Sequence, residues 1–219
     1  MIKFFNTKTY NFQDALRGMR NSWESWEKGD TMYHIYETFK DLDIYNENNT
    51  EMVEIGPQDL ALAKRLVLAG SDHGKFMRQI LVSVDIQAPL YFFKQFDQYK
   101  VGVVTNSTST MHRIDKEPIS IDMFSVEDLD DFGRLTLESY LKGLEAIRNT
   151  FKTTKDKKYW RMLIQMIPDS INQTRTTTLN YQVLRSMYHS RKNHRLSEWH
   201  DFAAWCETLP YSELITIKK

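Results

Sequence analysis

The hydropathy period of this chain changes at one point, and that change limits the folds open to it. In residues 76–87 (FMRQILVSVDIQ), Ile80, Val82, Val84 and Ile86 alternate with mostly polar neighbours, the pattern of a half-buried strand. From Ala88 the spacing switches. Leu90, Phe93 and then Phe96 or Asp97 recur at helical intervals, with Pro89 placed where a first helical turn accepts it. A strand that feeds straight into a helix points to an α/β fold, a small mixed sheet flanked by helices.

The rest of the chain supplies the partners for that unit. Residues 1–6 (MIKFFN) read as a short strand. Residues 11–29 read as a helix capped by Asn11 or Asp14, with Ala15, Leu16, Met19, Trp23 and Trp26 on one side. Residues 41–57 are polar and read as a loop. Residues 57–70 read as a helix with Pro57 at its start and Gly70 at its stop, and residues 71–75 (SDHGK) as a turn. Residues 101–114 are rich in Gly, Ser and Thr and read as an irregular loop. Residues 125–151 give the clearest helical pattern, with Ser125 as cap and Phe132, Leu135, Tyr140, Leu144 and Ile147 on one side. Further helices are expected over 155–168, over part of 174–192 and over 196–209.

With 219 residues, one core and a single domain spanning 1–219 is the expectation. The chain is 41% hydrophobic and carries 5 Trp, 11 Tyr and 12 Phe, which argues against disorder. Its formal net charge is zero, which argues against a nucleic-acid or anionic-membrane surface. The one cysteine, Cys206, excludes an internal disulfide and any Cys-rich zinc site. No leader-like segment and no apolar run of membrane-spanning length is visible, so a cytoplasmic location is expected.

Two polar clusters draw attention. Lys94, Gln95, Asp97, Gln98, Tyr99 and Lys100 follow the apolar helix start. They are either a solvated helix end or a ligand site. Arg175, Arg185, Arg191, Lys192 and Arg195 form a basic group. Its natural partner is a phosphate, on a nucleotide or on the adenine half of a flavin, and the alternative is a surface helix with paired charges. Interleaved Tyr181 and Tyr188 would suit single-stranded nucleic acid. His189, His194 and His200 are five and six residues apart, too widely spaced for a zinc pair on one helical face. Cys206 sits among core-like residues as a buried thiol. Trp23 and Trp26 read as core or interface anchors. No glycine-rich phosphate loop and no Gly-x-Ser-x-Gly occurs.

Three stretches, in order over residues 60–209, resemble the flavin-dependent thymidylate synthases. The first is LAKRLVLAGSDHGKFMRQILVSVDIQAP, similar to that family's helix, glycine turn and strand ending in Ala-Pro. In the second, Lys94-Gln95 stands for the family's Arg-Gln and Gln98-Tyr99-Lys100 for its Arg-His-Arg. The third is IPDSINQTRTTTLNYQVLRSMYHSR, where Pro168, Asn180 and Arg191 match the family spacing and Thr174-Arg175 needs a one-residue shift. Trp199 falls near a tryptophan of the family.

The resemblance implies an enzyme that reduces FAD with NADPH and moves a one-carbon group from methylenetetrahydrofolate to dUMP, a methyltransferase of pyrimidine nucleotide metabolism. It also implies a homotetramer, or at least a homodimer, because the family's site is shared between subunits. The implied roles are Arg191 on nucleotide phosphate, with Gln95, Gln98 and Arg175 also on the nucleotide, and Tyr99, Lys100 and Asn180 on flavin. The signature itself has changed. Gln98 brings donors without charge, Lys100 a charge without the planar fork, and Tyr99 a ring that stacks but does not act as histidine does. Asn106 stands for the family's acid, Ser107 or Ser109 for its serine, and Ile164 for an arginine, with Arg161 about one turn away. The loss of one buried charged contact costs about 2 kcal/mol or more. Two readings follow: a divergent enzyme acting on dUMP or a related nucleotide, or a non-catalytic relative that keeps the fold for nucleotide or protein binding.

Overall fold

The second half of the alternating run forms a strand that passes directly into a helix, while residues 76–80 are not part of it, because Gly74–Arg78 form a 3₁₀ turn. β4 is Leu81–Pro89 and α3 is Leu90–Phe96. Val82, Val84, Ile86 and Ala88 are buried while Leu81, Ser83, Asp85 and Gln87 between them are half-exposed or exposed. Pro89 is extended (φ −69°, ψ 154°) and serves as the N-cap of α3. The short helix is held at its start by backbone bonds, Leu90 N–H to Ile171 O (3.1 Å) and Tyr91 N–H to Asp169 O (3.2 Å).

The computed structural model describes residues 2–33 and 53–218. The remaining elements are β1 (Lys3–Tyr10), α1 (Phe12–Met19), β2 (Met32–Tyr33), β3 (Val53–Glu54), α2 (Pro57–Ala69), β5 (Val104–Ser107), α4 (Thr110–Arg113), α5 (Asp131–Thr154), α6 (Lys157–Met166), β6 (Asn172–Asn180), α7 (Tyr181–Arg191), α8 (Ser197–Glu207) and α9 (Glu213–Thr216). A four-stranded sheet has the order β1-β4-β6-β5, and β2 and β3 form a separate antiparallel pair with Met32 opposite Glu54. The architecture is the α/β arrangement expected, a small sheet flanked by helices. Among the described residues no helix is long and apolar enough to cross a membrane.

The chain divides into two compact units. The first comprises Met1–Lys3, Ile86–Gln98 and Asn106–Arg175. Its core joins Ile114, Ile119, Phe124, Leu141, Leu144, Leu163 and Ile171, with α5 and α6 packed as a hairpin. Arg148 is buried in this unit. Its guanidinium donates to Glu145 (2.6 and 2.7 Å) and to the Asp115 carbonyl (3.1 Å), and Glu145 accepts in turn from Ile119 N–H (2.9 Å).

The second unit comprises Phe4–Asp85, Tyr99–Thr105 and Thr176–Lys219. Phe12, Leu16, Tyr181, Leu184, Met187, Trp199, Phe202 and Leu214 form its centre. The Phe12 ring meets Tyr181 edge-on at 5.5 Å, and the Tyr181 hydroxyl donates to the Pro210 carbonyl. Burial pushes the Tyr181 phenol far above its ordinary range. A buried ion pair stiffens the start of α2. Arg20 donates to Asp59 Oδ1 from Nε at 2.7 Å, and Asp59 Oδ2 accepts from Asp30 N–H, Thr31 N–H and the Thr31 hydroxyl.

Three sequence expectations are corrected. The helix of residues 125–151 starts five residues late, because Asp130 and not Ser125 caps it, accepting from Gly133 N–H at 2.7 Å. Ser125 instead donates its hydroxyl to Asn172 Oδ1 (2.9 Å). The buried face of α5 is Leu141, Leu144 and Arg148, while Phe132 is 79% and Leu135 66% exposed. The helix of residues 11–29 ends at Met19 and gives way to two 3₁₀ turns. Trp23 there is 87% exposed and no core anchor, while Trp26 gives its indole N–H to Asn21. Residues 101–114 are not irregular. They hold β5 and α4, since Thr-rich chain suits a sheet edge. The helix expected over part of 174–192 is Tyr181–Arg191, and the residues before it, 172–180, form a strand for the same β-branched reason. Residues 41–52 of the expected loop lie outside the described residues.

Candidate functional site

The first unit carries the helix end of the altered signature. Gln95 is half-buried on α3, and Gln98, just beyond it, is exposed and gives its backbone N–H to the Gln95 carbonyl (3.2 Å). Arg175 is on β6, not on a helix. Its Nη1 donates to Asp97 Oδ1 (2.7 Å), its Nε to Gln173 Oε1 (2.8 Å), and its guanidinium lies 3.9 Å from the centre of the Phe93 ring. Gln173 passes the chain on, donating to the Thr108 carbonyl at 2.6 Å. Lys94 pairs with Asp169. Arg175 is thus stacked on Phe93 and held by two separate acceptors, one of which, Asp97, gains a charge partner. Sequence reasoning named Asp97 in the cluster and missed its pairing, because the strand over 172–180 was not foreseen.

The second unit holds the other half of the signature. Tyr99 is half-buried, and its hydroxyl accepts from Arg191 Nε at 3.0 Å. The Arg191 guanidinium lies 5.7 Å from the Tyr99 ring centre and 5.3 Å from that of Trp199. Trp199 is fully buried and meets Tyr99 edge-on at 6.4 Å and His194 at 6.3 Å. Arg191 at the end of α7 is thus positioned by two aromatic rings, and its charge suits the last turn of a helix. Lys100 is exposed.

Asn180 caps α7, its Oδ1 accepting from Val183 N–H at 3.0 Å. Gly102, two residues past Lys100, has φ +76°, and a Cβ placed there would sit 2.6 Å from Asn180 Nδ2. The glycine therefore lets the chain pass close over the capping amide. Sequence reasoning identified Asn180 and Tyr99 but had no signal for the Gly102 approach beyond the glycine itself.

The other basic residues have local duties. Arg185 donates to the carbonyls of Ile215 (3.0 Å) and Ile217 and lies 3.1 Å from His189 Nε2. That takes Arg185 away from a phosphate role and ties α7 to the C-terminal segment. Burial and the Arg185 charge hold the His189 imidazole below its ordinary range. His194 Nδ1 accepts from Leu196 N–H (3.1 Å), and His200 Nε2 lies 2.8 Å from the His194 carbonyl. Among the described residues no group of three or more His, Cys, Asp or Glu is placed to hold a metal. Cys206 is fully buried, and burial pushes its thiol well above the ordinary range, away from nucleophilic chemistry. Ile164 is half-buried against the first unit's core, Arg161 is exposed, and Ser109 accepts from His112 N–H at 3.2 Å.

No protein-family model matches the chain, and no curated protein matches it in sequence. Solved structures do match in fold. Crystalline thymidylate synthase X (ThyX) from Helicobacter pylori with FAD and dUMP is 15% identical, covers 98% of this chain and 96% of its own, and superposes with a TM-score of 0.69. A second structure of the flavin-dependent thymidylate synthase ThyX from that organism, complexed with FAD and dUMP, gives 14% identity, 94% and 93% coverage, and a TM-score of 0.63. The UMP/dUMP methylase PolB from Streptomyces cacaoi, bound with 5-Br dUMP, gives 14%, 99% and 94%, and 0.59. This chain is therefore built on the fold of the flavin-dependent thymidylate synthases.

Proposed function

We propose that the chain, 1–219, works as one thymidylate synthase-like domain that binds a pyrimidine nucleotide. In this reading it is a divergent flavoprotein that transfers a one-carbon group from methylenetetrahydrofolate to dUMP or a related nucleotide, using FAD and NADPH. The observation that carries it is the near-complete mutual coverage with a ThyX structure holding FAD and dUMP. The ordered Ala-Pro, Gln95, Asn180 and Arg191 matches support the same reading. The nucleotide-binding residues in this proposal are Gln95, Gln98 and Arg175 of the first unit and Arg191 of the second. Tyr99, Lys100 and Asn180 bind the cofactor. The working form is a homotetramer in the cytoplasm.

The residues present fit a flavin in one respect and depart in another. Tyr99, half-buried beside Arg191 and Trp199, offers an aromatic and cationic surface that suits a flavin ring or its diphosphate. Lys100 adds a charge. Asn180 has its oxygen engaged in capping α7 and offers only its Nδ2 donor. When bound, the flavin would supply the hydride chemistry. The chain's own part is to orient and to polarise. Gln95 and Gln98 donate amide hydrogens to a carbonyl edge, and Arg191 holds a fixed positive charge where negative charge develops.

A second reading is favoured by the signature change. Gln98-Tyr99-Lys100 replaces Arg-His-Arg, and Arg175 is tied to Asp97. A relative without catalysis would keep the fold as a nucleotide-binding or protein-interaction module. The visible absorption spectrum of the native protein, before and after addition of FAD and desalting, separates the two. Retained oxidised-flavin bands, followed by dUMP-dependent NADPH oxidation, are expected of the enzyme. Absence of flavin under both conditions overturns it in favour of the module.

A further inference from the structure

The α3 end of the first unit carries two cations, and an acid of the same unit answers each. Lys94 pairs with Asp169, but both side chains are exposed, so that pair is weak and open to exchange. Arg175 is different. Its side chain is only 13% exposed, while its partner Asp97 is half exposed. A guanidinium so enclosed feels its carboxylate with little screening by salt.

Asp97 stands where an acid is out of place. It is the C-cap of α3, its backbone N–H bonded to the Phe93 carbonyl at 2.8 Å. That end of a helix is its negative pole, and a carboxylate there is disfavoured unless a cation offsets it. Arg175 supplies the cation through Nη1, 2.7 Å from Asp97 Oδ1. Gln173 Oε1 takes Nε at 2.8 Å, and the buried Phe93 ring covers one face of the guanidinium at 3.9 Å. Gln173 is itself anchored, donating to the Thr108 carbonyl at 2.6 Å. The guanidinium is thereby fixed in place. No acceptor among the described residues takes its Nη2.

We propose that Asp97 is a specificity-determining residue: its carboxylate neutralises Arg175, so that this end of the first unit takes an uncharged hydrogen-bond acceptor and turns a phosphate away. A dianion drawn to Nη2 meets the Asp97 carboxylate at close range, where like charges repel. A carbonyl or hydroxyl oxygen meets no such repulsion and accepts from the same nitrogen. The inference rests on the nucleotide reading proposed above and deepens it. Arg175 reads the uncharged part of the ligand, its base or sugar, and not its phosphate.

The test is calorimetric titration of the full chain with inorganic phosphate, deoxyuridine and dUMP, for wild type, Asp97→Asn, Asp97→Ala and the double variant Asp97→Asn with Arg175→Gln. Asp97→Asn keeps the size and an acceptor oxygen and removes only the charge. Melting curves establish that each variant is folded; should Asp97→Ala unfold, Asp97→Asn carries the test. The expected result is phosphate bound at least tenfold more tightly by Asp97→Asn than by wild type, with the gain lost in the double variant and deoxyuridine binding unchanged by Asp97→Asn. Phosphate affinity equal in wild type and the folded Asp97 variants overturns the role of Asp97, and dUMP bound by those same proteins leaves the nucleotide function standing. A gain that survives Arg175→Gln overturns the assignment to Arg175. An equal gain for deoxyuridine overturns the charge explanation. The phosphate gain, with neither dUMP nor deoxyuridine bound by wild type, overturns the nucleotide function and keeps the selectivity of Asp97. Neither gain nor nucleotide binding overturns both.

Discussion

Arg191 donates its Nε hydrogen to the hydroxyl of Tyr99 across 3.0 Å, while Trp199 backs the same guanidinium at 5.3 Å. The pair links a residue of the altered signature to the matched arginine at the end of α7. Tyr99→Phe removes the hydrogen bond and keeps the ring. It is expected to lower stability by about 1 kcal/mol and to weaken flavin retention mildly. Tyr99→Ala removes the ring as well and is expected to abolish retained flavin. Urea unfolding and absorbance after desalting measure the two effects.

Gly102 and Asn180 form a second coupled pair. Gly102→Ala faces both a positive φ and a 2.6 Å approach to the Asn180 amide, so it is expected to displace the α7 cap. A loss of roughly 1–3 kcal/mol is expected, larger than that of Asn180→Ala. The double variant is expected to fall short of the sum, because the clash disappears with the amide. Chemical denaturation of the three variants checks this.

Asp59→Ala leaves Arg20 buried without its carboxylate and removes acceptors from Thr31 and Asp30. Breaking a buried pair from one side costs about 3–5 kcal/mol. The expected outcome is a large fall in the denaturation midpoint. A change no greater than that of Lys64→Ala, whose pair with Glu213 is surface-exposed, overturns the structural weight given to the Arg20–Asp59 network.

His189 gives the pH dependence a sign. Burial first, then Arg185 and Lys192, lower its folded pKa below the ordinary 6.5. The unfolded chain therefore binds the proton more readily. The folded state's advantage is full above pH 6.5 and is lost as pH falls from there through the lower folded value. Unfolding free energy measured at pH 7.5 and 5.5 is expected to drop for wild type and to drop less for His189→Gln.

Trp23 and Trp199 are expected to behave oppositely. Trp23 is 87% exposed, and Trp23→Ala is expected to change stability by less than about 0.5 kcal/mol. Trp199 is fully buried, and Trp199→Ala is expected to cost about 3–5 kcal/mol. Thermal melts of both variants decide it.

The parts of the fold legible in the sequence were those with one strong period. Val82, Val84 and Ile86 marked β4, Pro89 marked the switch to α3, and Pro57 and Gly70 bracketed α2. Failures came where two faces competed. In α5 the apolar Phe132 and Leu135 outrank Arg148 by hydropathy, yet Arg148 is the buried one because Glu145 and the Asp115 carbonyl satisfy it. Residues 172–177 (NQTRTT) carry too few apolar side chains for a period to show, so their strand is visible only through β-branching. At the site, Tyr99, Asn180 and Arg191 were legible as types at a spacing. The pairing of Arg175 with Asp97 was not, because it depends on a contact 78 residues apart in sequence.

Trp199 lies at the back of Arg191, shut off from water and flanked by Tyr99 and His194. Its indole therefore emits at the blue side of the protein's fluorescence, while the exposed Trp23 emits at the red. A molecule bound against Arg191 and Tyr99 is expected to change the quenching of Trp199, whose ring lies 5.3 Å from the Arg191 guanidinium. Comparison of wild type with Trp199→Phe in a fluorescence titration would isolate that emitter from the chain's other tryptophans, without a label.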